Sequence, residues 1–204
     1  MILRKWEDLP ESMQCDEVRE YYDILRKKKF QLLIKRLFDI IVSAIMLILL
    51  SPAFLILAIA IKIDSKGPVF YRQERVTRYG KKFRIFKFRS MVSGADKKGS
   101  LVTVNNDARI TRVGKLIRKC RLDEISQLID VFRGTMSFVG TRPEVTKYVE
   151  KYAPKMRATL LLRAGVTSEA SICFKDEDEL LSGAENVDEV YVEKILPEKM
   201  KYNL

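Results

Sequence analysis

No histidine occurs among the 204 residues. That absence removes Ser-His-Asp and Cys-His catalysis, imidazole general bases and nearly all catalytic zinc sites. Any chemistry has to be carried by carboxylates, lysine, arginine or a hard metal ion. Cysteine is scarce as well: Cys15, Cys120 and Cys173 stand apart with no CxxC pair. A disulfide framework and a sulfur-bound metal are therefore not indicated, and a reducing, cytoplasmic setting fits. There is no internal repeat, low-complexity tract, P-loop or GxGxxG.

What is abundant is positive charge. Lys and Arg outnumber Asp and Glu by 38 to 27, a formal +11, which predicts attraction to a polyanion: nucleic acid, an anionic lipid surface or a phosphate-rich substrate. Composition does not choose among these. The length suits one principal core.

From Ile40 to Ile61 the chain runs 22 residues without a charge, enough as a helix to cross a hydrocarbon core of about 30 Å. It starts too far into the chain for a secretory signal. Ser51-Pro52 sits at its middle, where proline removes the amide that would bond the Ile48 carbonyl and the helix should bend. Arg26, Lys27, Lys28, Lys29, Lys35 and Arg36 precede the run, and Lys62, Lys66, Arg72, Arg75, Arg78, Lys81 and Lys82 follow it. A simple span wants one flank poor in cations. The pattern therefore favours a helix pair that dips into one leaflet and returns over a proline-kinked span or a buried core helix.

Residues 1–36 carry Trp6, Tyr21, Tyr22, Ile24, Leu25, Phe30, Leu32 and Leu33 among many cations. This suits an amphipathic segment lying in the headgroup region, or equally a basic face packed on the domain. Pro68–Val76 and Lys82–Met91 alternate aromatic and basic residues around a glycine-bearing turn, which reads as a β-hairpin. Arg109, Arg112, Lys115, Arg118, Lys119 and Arg121 alternate at helical intervals with apolar residues, predicting a second amphipathic helix. From Lys175 to Leu204 there are nine acidic residues against four lysines, an acidic segment expected to face water. The expected class is α+β, mainly helical: a re-entrant membrane helix at 37–63 broken at Ser51-Pro52, interfacial amphipathic helices, and a β-hairpin around a small catalytic domain within 64–204.

The most suggestive segment is RLDEISQLIDVFRG, Arg121–Gly134. Ile125, Leu128, Ile129 and Phe132 mark a helix whose first turn carries Asp123 and Glu124 and which Gly134 closes. Acidic residues at a helix start often only complement the macrodipole. Here they stand beside arginines and before a second loop, SFVGTRPE, whose Thr141 and Glu144 also spell a capping box. Arg142 is not needed for capping. Adjacent carboxylates can help hold Mg²⁺, which completes its shell with water and phosphate. Alternatively, one of them can attack phosphorus, being ionised at neutral pH without a histidine.

Lys35-Arg36-Leu37-Phe38-Asp39, Ser51-Pro52, Gly67-Pro68-Val69-Phe70, Phe86-Lys87-Phe88-Arg89-Ser90-Met91, Leu122-Asp123-Glu124 and Met136–Glu144 follow in an order that resembles the monotopic phosphoglycosyl transferases. These bacterial enzymes load a phosphosugar onto a polyprenol phosphate. The resemblance implies that Ser51-Pro52 is the helix-breaking pair and Asp123-Glu124 the catalytic dyad, with Asp123 as nucleophile and Glu124 supporting a Mg²⁺ site or proton management. It puts Arg89, Arg118, Arg142, Glu144 and Asp188 around the substrate. It also implies a UDP-sugar donor, a polyprenol phosphate acceptor, UMP release through an aspartyl-phosphosugar intermediate, and residence at the cytoplasmic face of the bacterial membrane. Nucleic acid is not an expected partner, and a homo-oligomer is left open. At Arg163–Ser171 the chain departs from the family pattern. The rival outside enzymes is a membrane-anchored module that binds nucleic acid or anionic lipid.

Overall fold

The computed structural model describes residues 3–95, 108–174 and 187–204. Two helices meet at Ser51-Pro52: α2 (Lys29–Leu49) and α3 (Ser51–Asp64), bent by 60° at the break. Pro52 lies in the first turn of α3, where a missing amide costs no helical hydrogen bond. Ser51 Oγ donates to the Ile48 carbonyl at 2.8 Å, the group that Pro52 has no amide to reach. No single helix among the described residues is long and apolar enough to cross a membrane, whereas the bent pair taken together is. Ile45, Ile48, Leu49, Leu55, Ile56 and Ile59 leave its surface apolar and exposed.

Both arms of this pair are tied to the same body. On α2, Arg36 donates to the carbonyls of Val131 (2.7 Å) and Phe132 (2.9 Å). Buried Asp39 accepts from Ser137 Oγ (2.8 Å) and the Phe138 amide (3.2 Å). At the far end of α3, Ile61 is buried with Phe88 and Ile117, and Asp64 accepts from the Val113 amide at 3.0 Å.

The β-hairpin consists of β1 (Phe70–Val76) and β2 (Lys82–Phe88), antiparallel with Phe70 opposite Phe88. Its turn places Tyr79 (φ 61°) and Gly80 (φ 70°) in the left-handed region. The Tyr79 hydroxyl, which accepts from the Arg4 amide at 2.9 Å, holds the first of these in place. The imperfect alternation of β2 has a packing cause: Ile85 enters a cluster with Val131 and Met136, while Phe88 enters the cluster under α3, so both faces are covered. Helix α1 (Asp16–Lys27) buries Val18 and Tyr22 against Leu9, Met13, Tyr79, Ala158 and Leu161. Val18 and Tyr22 are thus covered by protein, while Ile24 on α1 and Phe30, Leu33 and Ile34 on α2 stay exposed.

The basic helix α4 (Arg112–Lys119) is capped by Thr111, whose side chain accepts from the Gly114 amide. Arg121 then turns the chain in the left-handed region (φ 52°, ψ 26°) into a 3₁₀ segment, Leu122–Gln127, followed by α5 (Leu128–Arg133). Gly134 closes α5 at φ 86°, as expected of a helix C-cap. The single helix anticipated over Arg121–Gly134 is thus tighter in its first half.

Strand β3 (Met136–Val139) pairs in parallel with β4 (Ala164–Thr167), so the divergent Arg163–Ser171 stretch is a strand and the start of the short helix α7 (Glu169–Cys173). Past β3 the backbones of Gly140 and Gly165 approach too closely for a Cβ on either. The Thr141-Glu144 capping box does not form: α6 (Thr146–Val149) begins later, after Val145, with no side-chain cap. At the C-terminal end α8 (Val187–Val190), a π-helical turn (Tyr191–Ile195) and α9 (Leu196–Asn203) bury Tyr191, Ile195, Leu196 and Met200 against Tyr148 and Tyr152. The acidic segment expected to face water therefore packs one side onto the domain, and its residues 175–186 lie outside the described ones.

Candidate active site

Three elements converge on the Asp-Glu pair. The left-handed Arg121 starts the 3₁₀ segment so that Asp123 and Glu124 fall in its first turn. Strand β2 supplies Lys87, on the same face as Phe83 and Ile85 but one step past the core they fill. The loop after β3 supplies Arg142.

Glu124 is gripped by both cations. Arg142 Nη2 lies 2.5 Å and Lys87 Nζ 3.2 Å from Glu124 Oε1. Lys87 also approaches Asp123 Oδ2 at 4.0 Å. The two carboxylates are similarly buried, with side chains 18% and 17% exposed, yet they are driven apart electrostatically. Burial pushes Asp123 above the usual aspartate range, with Glu124 adding to the push and Lys87 opposing it. Burial acts the same way on Glu124, but Arg142 and Lys87 overcome it and hold its carboxyl down at about 2. Burial also lowers the Lys87 ammonium despite the attraction of Glu124. The result is a fixed carboxylate, Glu124, that organises two cations, and a more basic one, Asp123, beside them. Separated pKa values in one partly open site are the pattern of divided catalytic roles.

The residues singled out in the sequence do not all come together. Asp123, Glu124 and Arg142 come together, and Arg118 acts on Asp123 through its charge, lowering its pKa. Arg89 lies elsewhere: it is buried and donates to the carbonyls of Ser65 (2.7 Å) and Lys66 (2.7 Å) and to Ser93 Oγ (2.9 Å). It closes the C-terminus of α3, its two terminal nitrogens bonded to protein acceptors and its Nε buried without a hydrogen-bond partner. Glu144 is buried beside the site, accepting from Tyr191 OH at 2.6 Å. Asp188 pairs with Lys147 at 2.5 Å and accepts from Tyr148, contacts that lower its pKa.

Lys87, Arg75, Asp39 and Lys199 have structural partners that residue type alone does not reveal. Lys87 and Asp39 did stand in recognisable motifs, FKFRS and KRLFD.

The donor set suits a loosely held hard cation. Among the described residues no group of three or more carboxylate, thiol or imidazole ligands exists, and Glu124 is engaged by cations. Asp123 remains as the oxygen donor, with Glu124 adjacent. Mg²⁺ is commonly held by one or two carboxylates, with water and substrate phosphate completing the shell.

The bacterial sugar transferase family matches residues 30–197 of this chain, and the chain belongs to that family. The UDP-N-acetylgalactosamine-undecaprenyl-phosphate N-acetylgalactosaminephosphotransferase of Aeromonas hydrophila is 39% identical over 118 residues, 56% of this chain and 28% of that protein. The UDP-glucose:undecaprenyl-phosphate glucose-1-phosphate transferases of Escherichia coli K12 and Caulobacter vibrioides are each 38% identical, over 57% of this chain and 26% and 45% of their own lengths. The match spans less than half of each of these relatives.

Proposed function

We propose that this protein transfers a phosphosugar from a UDP-sugar to polyprenol phosphate, in two steps, at a membrane surface. The observation that carries the reading is the electrostatic division of the dyad: Asp123 is raised and close to one ammonium, while Glu124 is clamped by Lys87 and Arg142. In the first step an Asp123 carboxylate oxygen attacks the β-phosphorus of the donor. The bond from that phosphorus to the oxygen bridging the two phosphates breaks, and UMP leaves with that oxygen. In the second step a phosphate oxygen of the polyprenol phosphate attacks the same phosphorus and displaces Asp123, leaving a diphosphate between lipid and sugar. Both nucleophiles are anionic beforehand, so a chain without histidine suffices.

Lys87 and Arg142 stand where charge develops on the transferring phosphoryl group, and Arg118 adds to the field. Held by Asp123 with Glu124 nearby, Mg²⁺ would neutralise charge on the diphosphate. A raised Asp123 also makes the better nucleophile, because basicity and nucleophilicity rise together when the attacking atom is the same.

The membrane part of the reading rests on the two-point attachment of α2 and α3. Counting 1.5 Å per residue, the arm from Asp39 to the break is about 16 Å and the arm to Asp64 about 20 Å. With the 60° bend, the apex lies about 9 Å off the line joining the two anchors, shallow against a core of about 30 Å. That depth supports re-entrant insertion into one leaflet, with both basic flanks on one face and attracted to anionic lipid. The dyad can then meet a soluble nucleotide and a membrane-held phosphate together.

Incubating the protein with a panel of UDP-sugars and Mg²⁺, without acceptor, tests the mechanism. The expected result is one UMP and one trapped phosphosugar on Asp123 per protein. UMP release that strictly requires acceptor would replace it with direct transfer in a ternary complex.

A further inference from the structure

The loop that presents Arg142 is held from two directions. From β1, Arg75 Nη1 donates to the Pro143 carbonyl at 3.1 Å, and the Val76 amide donates to the Glu144 carbonyl at 2.9 Å. From the C-terminal helices, Tyr191 OH donates to Glu144 Oε1 at 2.6 Å. Lys199 Nζ lies 3.7 Å from that same oxygen and donates to Tyr191 OH at 3.1 Å. Lys199 is unusual in two respects: its side chain is 6% exposed, and it lies past residue 197, where the family match ends. Burying an ammonium is costly unless it is paired and hydrogen-bonded, and Leu196 and Met200 around it show that an apolar residue would fill this face of α9. What the lysine adds is a charge next to Glu144, two residues from the arginine that clamps Glu124.

We propose that Lys199 is a positioning residue for phosphosugar transfer: through Tyr191 and Glu144 it fixes the Thr141–Glu144 loop so that Arg142 is held against Glu124 and toward the donor diphosphate. This rests on the transfer reading above. It makes Glu144 a strut rather than a substrate ligand, and it gives the last helix a part in the chemistry without touching the reacting atoms. Small displacements of a group that orients a transition state reduce turnover more than ground-state binding.

Lys199→Met and Tyr191→Phe in the full chain test it, the second removing one hydroxyl while keeping the ring that packs 4.7 Å from Tyr148. The expected result is a kcat lower by about tenfold for Lys199→Met and about threefold for Tyr191→Phe, with the donor KM within about twofold of wild type. Arg142 should also react faster with phenylglyoxal, as followed by mass spectrometry of its peptide. Unchanged kcat in both variants overturns the proposal. So does a loss of turnover that only follows the folded fraction while Arg142 labelling stays at the wild-type rate. If Lys199→Met does not fold, Tyr191→Phe carries the test by itself. Should wild type release no UMP from any UDP-sugar, the transfer reading fails, and the labelling rates still decide whether Lys199 orders the loop.

Discussion

Neutralising the two members of the dyad one at a time should move stability in opposite directions. Glu124 is held at about 2 against an ordinary 4.5. At about 1.4 kcal/mol per pKa unit, this makes its charge worth up to about 3 kcal/mol to the folded state at pH 7. Glu124→Gln removes that charge from between Lys87 and Arg142. For a chain of this size about 3 kcal/mol corresponds to a melting temperature lower by about 6–12 °C. Asp123 is the reverse case, since its raised pKa means that folding disfavours its charge. Asp123→Asn should therefore melt at or above the wild-type temperature while UMP release falls by at least about a thousandfold.

The pH dependence follows from the same signs. The Glu124 contribution is complete above its unfolded value of 4.5 and is lost as pH falls through about 2, so wild type and Glu124→Gln should converge on acidification across that window. The Asp123 penalty is absent below its unfolded value of 3.8 and grows as pH rises through the raised folded value, so any advantage of Asp123→Asn should vanish below pH 3.8. Calorimetry or dye-monitored melting in EDTA isolates these effects from a bound metal. If Glu124→Gln melts with wild type at pH 7, or Asp123→Asn melts below Glu124→Gln, the electrostatic division of the dyad is wrong.

Arg89→Met should cost about 1–3 kcal/mol by taking the guanidinium from the Ser65 carbonyl just past α3, with the donor KM of the folded protein unchanged; a selective rise in KM would return Arg89 to the substrate. On a background with Cys15, Cys120 and Cys173 changed to Ser, Lys28→Cys and Lys62→Cys should both react with an impermeant thiol reagent from the same side of sealed vesicles, and labelling from opposite sides would refute re-entrant insertion. Chelation should stop UMP release and Mg²⁺ restore it, whereas turnover that persists in excess EDTA removes the metal from the scheme.

What was legible in the sequence is what local chemistry decides. The proline break could be read because a missing amide acts on the carbonyl four residues back, and Ser51 answers that deficit within the same turn. The hairpin and the carboxylate pair were likewise carried by short-range pattern. Lys87 and Arg89 show where such reading stops. Strand periodicity puts them on one face, but β2 ends at Phe88, and the last turn of α3 captures the guanidinium while the ammonium alone reaches the dyad. The Thr141-Glu144 box fails for a related reason. Its glutamate has a local use, capping a helix, and a distant one, accepting from Tyr191 and pairing with Lys199. In a buried place the distant use wins, because a carboxylate turned back to its own backbone would give up both the Tyr191 hydrogen bond and the charge pairing with Lys199. The helix start then shifts to residue 146. Residues whose role depends on a partner some fifty positions away are therefore the ones that pattern misassigns, and here they are the residues that aim Arg142.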